Sequence, residues 1–251
     1  MARKKFREVS PESFYGQDDN EKLSSQLKIR QRSDLTTKQK ALLHLIEDDD
    51  TKILFLSGPA GSAKSYLGIL AGLQLLNKGK VQSITYVRSV IESASRSMGF
   101  LKGSTEEKMQ PYLNPLHEKL EELLLRNDIS ELNKDQRIKG TPVNFLRGAS
   151  IKDSIIIADE AQNFDGKELT TIMTRIGEGS KLIILADPLQ SDINGLSKFQ
   201  AFFNLFNNEE SKYNGIFCVA FDKSDIVRSG VIRFILEKIE SQISIRTGTR
   251  T

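Results

Sequence analysis

Lys52-Ile-Leu-Phe-Leu-Ser-Gly-Pro-Ala-Gly-Ser-Ala-Lys-Ser-Tyr66 decides the fold. Four strand-forming apolar residues, Ile53 to Leu56, stop abruptly at a turn of small residues. After Lys64 the spacing of Leu67, Leu70, Ala71 and Leu75 is that of a helix, which Gly79 ends. From Gly58 the turn reads G-x-x-x-x-A-K-S, a phosphate-binding loop with Ala63 where the last glycine usually stands. Such a loop lines a concavity with backbone N–H groups and aims a helix amino terminus at it. Gly58, Pro59, Ala60, Gly61, Ser62, Ala63, Lys64, Ser65 and Tyr66 are therefore the candidate nucleotide cradle. Lys64 would reach the terminal phosphates and the Ser65 hydroxyl would ligate Mg²⁺. Alanine at 63 narrows the backbone choices, but a right-handed helical conformation, suited to a helix entry, is open to it.

Ser154-Ile-Ile-Ile-Ala-Asp-Glu-Ala-Gln162 is the second informative stretch. An unbroken apolar run is the pattern of a strand buried on both faces of a parallel sheet. It ends in two carboxylates, and ligands of open α/β sheets bind beyond the carboxyl ends of the strands. Asp159 would hold Mg²⁺ through water and Glu160 would polarise the attacking water. The plainer reading is that both acids favour the start of the next helix. Lys181-Leu-Ile-Ile-Leu-Ala186 is a third buried strand, followed by Asp187-Pro-Leu-Gln190. Gln190 could bond the γ-phosphate or the lytic water; an Asp-Pro turn accounts for the same residues as well.

Composition bounds the rest. The 251 residues are 38% hydrophobic and 27% charged, ordinary for a globular chain, with material for a substantial core. One cysteine, Cys218, precludes an intramolecular disulfide, and with two histidines there is no basis for a zinc cluster. Neither a membrane-length apolar run nor a signal-peptide core is present, so a cytoplasmic location is expected. Residues 1–33 hold eight Lys/Arg against five Asp/Glu, which accounts for the whole net charge of +3. They read as a mobile, basic arm. Arg3, Lys4, Lys5 and Arg7 could touch nucleic acid or simply be solvated.

Thr36 to Glu47 is a helix whose Thr36 and Gln39 form a capping box. Ile84 to Arg88 is a strand, and the small, polar, basic segment 89–103 is a functional loop. Residues 105–126 return to helix, broken at Pro111 and Pro115; 127–140 are a polar connection, and 142–146 a short strand. Helices over 166–176 and 197–207, a strand over 216–221 and a last helix carrying Val231, Ile235 and Ile239 follow. Strands alternate with helices, so the expected fold class is α/β: one nucleotide domain over 34–243, with a frayed tail at 244–251.

Together these motifs resemble the PhoH family of phosphate-starvation-inducible ATPases, relatives of superfamily-one helicases. The resemblance runs through Gly58 to Ser65, Arg88-Ser-Val-Ile-Glu-Ser with Met98 to Gly103, Pro111 to Leu116, and Leu146-Arg-Gly148. It continues through Ile157 to Asn163, Thr174-Arg-Ile-Gly, Ala186 to Asp192, and Asp225-Ile-Val-Arg228. It implies a RecA-like P-loop core, a mostly parallel sheet with helices on both faces, that hydrolyses ATP with Mg²⁺. It also implies that Gln39 reads the adenine edge, Gln190 senses the γ-phosphate, and Arg228 stabilises charge on the transferring phosphate. Arg88, Ser89, Arg96 and Lys102 would touch single-stranded RNA or DNA. Ala63 and Ala186 depart from the family's usual glycines, and Ser89-Val90 from a frequent proline.

Superfamily-one helicases take an arginine from a second domain, which a chain of this length is not expected to hold. The expectation is a homo-oligomer, most simply a hexameric ring, with Arg228 or Arg175 acting in trans; Arg175 also reads as a plain surface residue. Short relatives of this kind are common in bacteriophages, which implies a phage source and a bacterial host cytoplasm. A nucleotide-gated switch with slow hydrolysis and a protein partner is the competing function. A metabolite kinase is weaker, because no acceptor lid stands out.

Overall fold

Alternation along the strands builds the core. In β1 (Ile53–Ser57), Leu54 and Leu56 face one side while Ile53 and Phe55 face the other. The same split holds in β4 (Ser154–Asp159), with Ile155 and Ile157 opposed to Ile156 and Ala158, and in β5 (Lys181–Ala186). A sheet apolar on both faces needs a helical layer on each. That is the arrangement in this computed structural model, which describes residues 26–89, 105–146, 148, 150–187, 198–227, 234 and 238, with only the backbone of 105–112.

The sheet has six strands in the order β3-β2-β4-β5-β1-β6, where β2 is Ser83–Arg88, β3 Ile138–Pro142 and β6 Ile216–Ala220. Every pairing is parallel. One face carries α1 (Thr37–Glu47), α2 (Lys64–Asn77), α3 (Thr105–Leu123) and α4 (Arg126–Lys134). The other carries α5 (Gly166–Met173) and α6 (Lys198–Phe206), with an aromatic group of Phe55, Phe199, Phe203 and Phe206. A short α7 (Glu209–Tyr213), capped by Asn208, precedes β6. The expected α/β architecture is the one found. Among the described residues no helix is long and apolar enough to cross a membrane.

Several expectations change. Residues 26–33, read as part of a mobile arm, are packed. Leu27 exchanges two hydrogen bonds with the Asn77 side chain, and Arg30 donates its backbone N–H to the Leu123 carbonyl. Helix α3 runs unbroken through positions 111 and 115. The two prolines delete N–H groups on one side only, while Leu116, Leu120 and Leu123 are buried. The polar connection contains α4 and most of β3, both nearly invisible to periodicity because α4 buries just Leu132. Residues 143–146 form a 3₁₀ turn, and Pro142 closes the edge strand β3 instead of opening one. Apart from residues 234 and 238, the last helix, the tail at 244–251 and residues 1–25 lie outside the described residues.

Candidate active site

Position in the sheet creates the site. Strand β5 lies between β1, which delivers the loop, and β4, which delivers the acids. Two strand spacings separate loop from acids, roughly 10 Å. Three carboxyl ends thus open on one cleft, lined by Ala60, Gly61, Ala63, Lys64, Ser65 and Tyr66 with Asp159, Glu160, Gln162, Ala186 and Asp187.

The loop is held by short internal bonds. Ser62, fully buried, donates its hydroxyl to the Pro59 carbonyl at 2.8 Å, and the Gly58 N–H donates to Ala186 O at 3.1 Å. At Gly58 a Cβ would fall 2.8 Å from the Phe221 Cβ, so only glycine fits there. Ala63 does not take the right-handed conformation expected of it. At φ 63°, ψ 24° it is left-handed, a geometry that costs an L-residue about 1–2 kcal/mol. Glu160 is left-handed as well, at φ 55°. Strain held on both walls of a cleft is characteristic of a functional site.

Lys64 donates to the carbonyls of Gly58 at 2.7 Å and Pro59 at 2.9 Å. Burial pushes its ammonium pKa down, opposed by the nearby charges of Asp187, Asp159 and Glu160. The Ser65 hydroxyl donates to Asp159 Oδ1 at 2.9 Å, joining loop to acid directly. The other carboxylate oxygen accepts the Tyr86 hydroxyl at 2.6 Å, and the Glu160 N–H donates to Oδ1 at 3.0 Å. Tyr86 is buried, which with the Asp159 charge drives its phenol pKa far upward and keeps it a donor. The Gln162 amide donates to Glu160 and accepts the Asp187 N–H at 3.0 Å. Arg88 approaches Glu160 to 3.8 Å, and Ser89 bonds Glu168 on α5. The Ser65 hydroxyl and the Asp159 carboxylate are hard oxygen donors 2.9 Å apart, a pair suited to Mg²⁺.

The Gln39 side chain is committed to partners within its own chain. It is fully buried, and its amide hydrogens go to the Ser62 carbonyl at 3.1 Å and the Asp225 carbonyl at 2.9 Å. Its oxygen accepts the Thr36 N–H, so the capping box forms as expected and no donor is left for an adenine edge. Arg175 follows α5 and bonds through its carbonyl to Ile151, ahead of β4. That is the amino-terminal end of the strands, opposite the cleft of its own chain; its Nε is buried without a partner. Gln190, Arg228, Arg96 and Lys102 lie outside the described residues. Sequence reasoning missed Tyr86, Gln162, Asp187, Arg32 and Lys119, the last two of which also line the cleft. Of these, Asp187 alone carried a signal, at the tip of a buried strand.

A family profile described as PhoH-like protein matches residues 31–240. The chain belongs to the PhoH-like family. A PhoH-like protein of Bacillus subtilis is 32% identical over 191 residues, 76% of this chain and 59% of the relative. One from a Synechocystis strain is 29% identical over 207 residues, 82% of this chain and 61% of the relative. Protein PhoH2 of Bacillus subtilis is 35% identical over 159 residues, 61% of this chain and 36% of that protein. The matched part of this PhoH-like chain thus spans about three fifths or less of these relatives' own lengths. Family membership agrees with the P-loop architecture of the cleft.

Proposed function

We propose that this PhoH-like chain hydrolyses ATP with Mg²⁺, coupled in a helicase-like way to single-stranded RNA or DNA, as a head-to-tail ring. The bond from Ser65 Oγ to Asp159 Oδ1, beside Lys64 and Glu160, is the observation that carries the reading. Bound there, Mg²⁺ would offset charge on the β- and γ-phosphate oxygens. Lys64 and the loop N–H groups hold the phosphates. Glu160 takes a proton from the water whose oxygen bonds to the γ-phosphorus. The bond to the bridging oxygen breaks, and ADP and phosphate leave. Gln190 contacts the γ-phosphate, and Arg228 or Arg175 of a neighbouring subunit balances the charge that develops.

The approach of Arg88 to Glu160 supports coupling to a nucleic acid. A backbone phosphate that captures Arg88 frees Glu160 to work on water. Steady-state ATP turnover with and without single-stranded RNA tests both parts. Single-stranded RNA should stimulate the wild type. Glu160→Gln should still bind ATP while turnover falls by about 10²–10⁴. Arg88→Ala should lose the stimulation. Indifference to both RNA and DNA would sink the nucleic-acid part. The nucleotide-gated switch with a protein partner would then stand, a reading that the strained Ala63 favours.

A further inference from the structure

Part of the cleft lining is left unexplained by the phosphate chemistry: Arg32 and Val227 share the cleft with Lys64, Ser65 and Tyr66. Arg32 comes from the packed amino-terminal segment, and its backbone N–H donates to the Tyr66 hydroxyl at 2.9 Å. Two of its three guanidinium nitrogens are hydrogen-bonded. Nε and Nη2 form a fork on the Asp34 carboxylate at 2.9 and 2.7 Å, and Nη2 also reaches the Val227 carbonyl at 3.4 Å. Nη1 lies 3.8 Å from Glu122 on α3. The guanidinium carbon lies over the Tyr66 ring, 5.8 Å from its centroid, and 34% of the side chain is exposed. A flat cation bonded along one edge and set over an aromatic ring can stack a second π-system on its plane, as guanidinium groups do.

We infer that Arg32 is the platform on which the nucleotide base stacks, and that the cleft grips the base by its face without reading its edge. The inference rests on the nucleotide-binding reading above. Gln39, implied as the edge reader, has both amide hydrogens committed to carbonyls of the loop and of Asp225 and is fully buried. Every base has a π-face, so stacking discriminates weakly between bases. Specificity for adenine is therefore slight.

Calorimetry with Mg-ATP, Mg-GTP and Mg-tripolyphosphate, on the wild type, Arg32→Ala and Arg32→Lys, tests this. The wild type should bind ATP and GTP within about fivefold of each other, since stacking tolerates any base. Arg32→Ala should weaken both by about tenfold, the lower range of stacking losses, and leave tripolyphosphate unchanged. Arg32→Lys keeps the charge for Asp34 and hence the packed segment but lacks the plane; it should lose the same affinity for ATP and GTP. The platform is overturned by wild-type preference for ATP over GTP beyond a hundredfold, by ATP binding no tighter than tripolyphosphate, or by unchanged nucleotide affinity in Arg32→Lys. A wild type that binds none of the three overturns the nucleotide reading itself, and the platform with it.

Discussion

Ala63 carries strain in the phosphate loop, and Tyr86 holds the acid that faces it. Ala63 holds a left-handed backbone that glycine would adopt freely. Relief of about 1–2 kcal/mol outweighs the extra unfolded-state entropy of glycine, so Ala63→Gly should gain about 0.5–1 kcal/mol in urea unfolding. An unchanged or lowered midpoint would mean the loop relaxes around the alanine. Tyr86 supports Asp159 from below the cleft, buried and 2.6 Å from the carboxylate. Tyr86→Phe removes a hydrogen bond to a charged group and should cost about 1.5–3 kcal/mol of stability. It should also raise, several-fold, the Mg²⁺ needed for half-maximal ATP turnover; an unaltered Mg²⁺ titration would make the tyrosine purely structural. The phosphate loop and the paired acids were legible because their spacing is local. Tyr86 was not, because its partner lies 73 residues away on a neighbouring strand.

At the scale of elements, the 3₁₀ turn Lys223–Asp225 ties the amino-terminal segment to the loop. Asp225 accepts the Thr36 hydroxyl through its side chain and a Gln39 amide hydrogen through its backbone. Next to it, the Val227 N–H donates to Gly61 O at 3.2 Å. Asp222 caps this turn, and bonds from Ser224 and then Lys38 lower its carboxyl pKa from 3.8 to about 2. A depressed folded pKa stabilises the fold above the unfolded value and is lost as protonation proceeds towards the folded one. The Asp222 contribution is therefore complete above about pH 4 and fades down to about pH 2. Asp222→Asn should flatten the acid side of the stability curve in that window; an identical slope in both proteins would rule the linkage out. The capping box of α1 was readable from Thr36 and Gln39. The two carbonyls that Gln39 also serves were not, since they belong to residues 62 and 225.

Over the whole molecule, the parallel sheet has two ends with different chemistry. The phosphate loop and both acids sit at the carboxyl end; Arg175 sits at the amino end, beside Ile151. An arginine so placed can complete an active site only on another copy, in a head-to-tail contact. Arg175→Ala and Glu160→Gln should each be inactive alone, the former by about 10³-fold or more if it acts as an arginine finger. Mixed in equal amounts and reassembled, they should recover about a quarter of wild-type turnover, the share of sites pairing an intact glutamate with an intact neighbouring arginine. Sedimentation of the ATP-bound protein as monomer with full turnover would remove the ring altogether.

The amino-acid sequence by itself determined the α/β class, the phosphate loop, the acid-bearing strand and the α1 cap. Each rests on periodicity or on residues within a few positions of one another, where chain geometry leaves little choice. Only the tertiary structure decided the strand order that spaces Ser65 against Asp159, the packing of residues 26–33, the burial of Gln39 and the place of Arg32 over Tyr66. Those depend on which segments, tens to nearly two hundred residues apart, share the same buried volume, and neither spacing nor propensity encodes that.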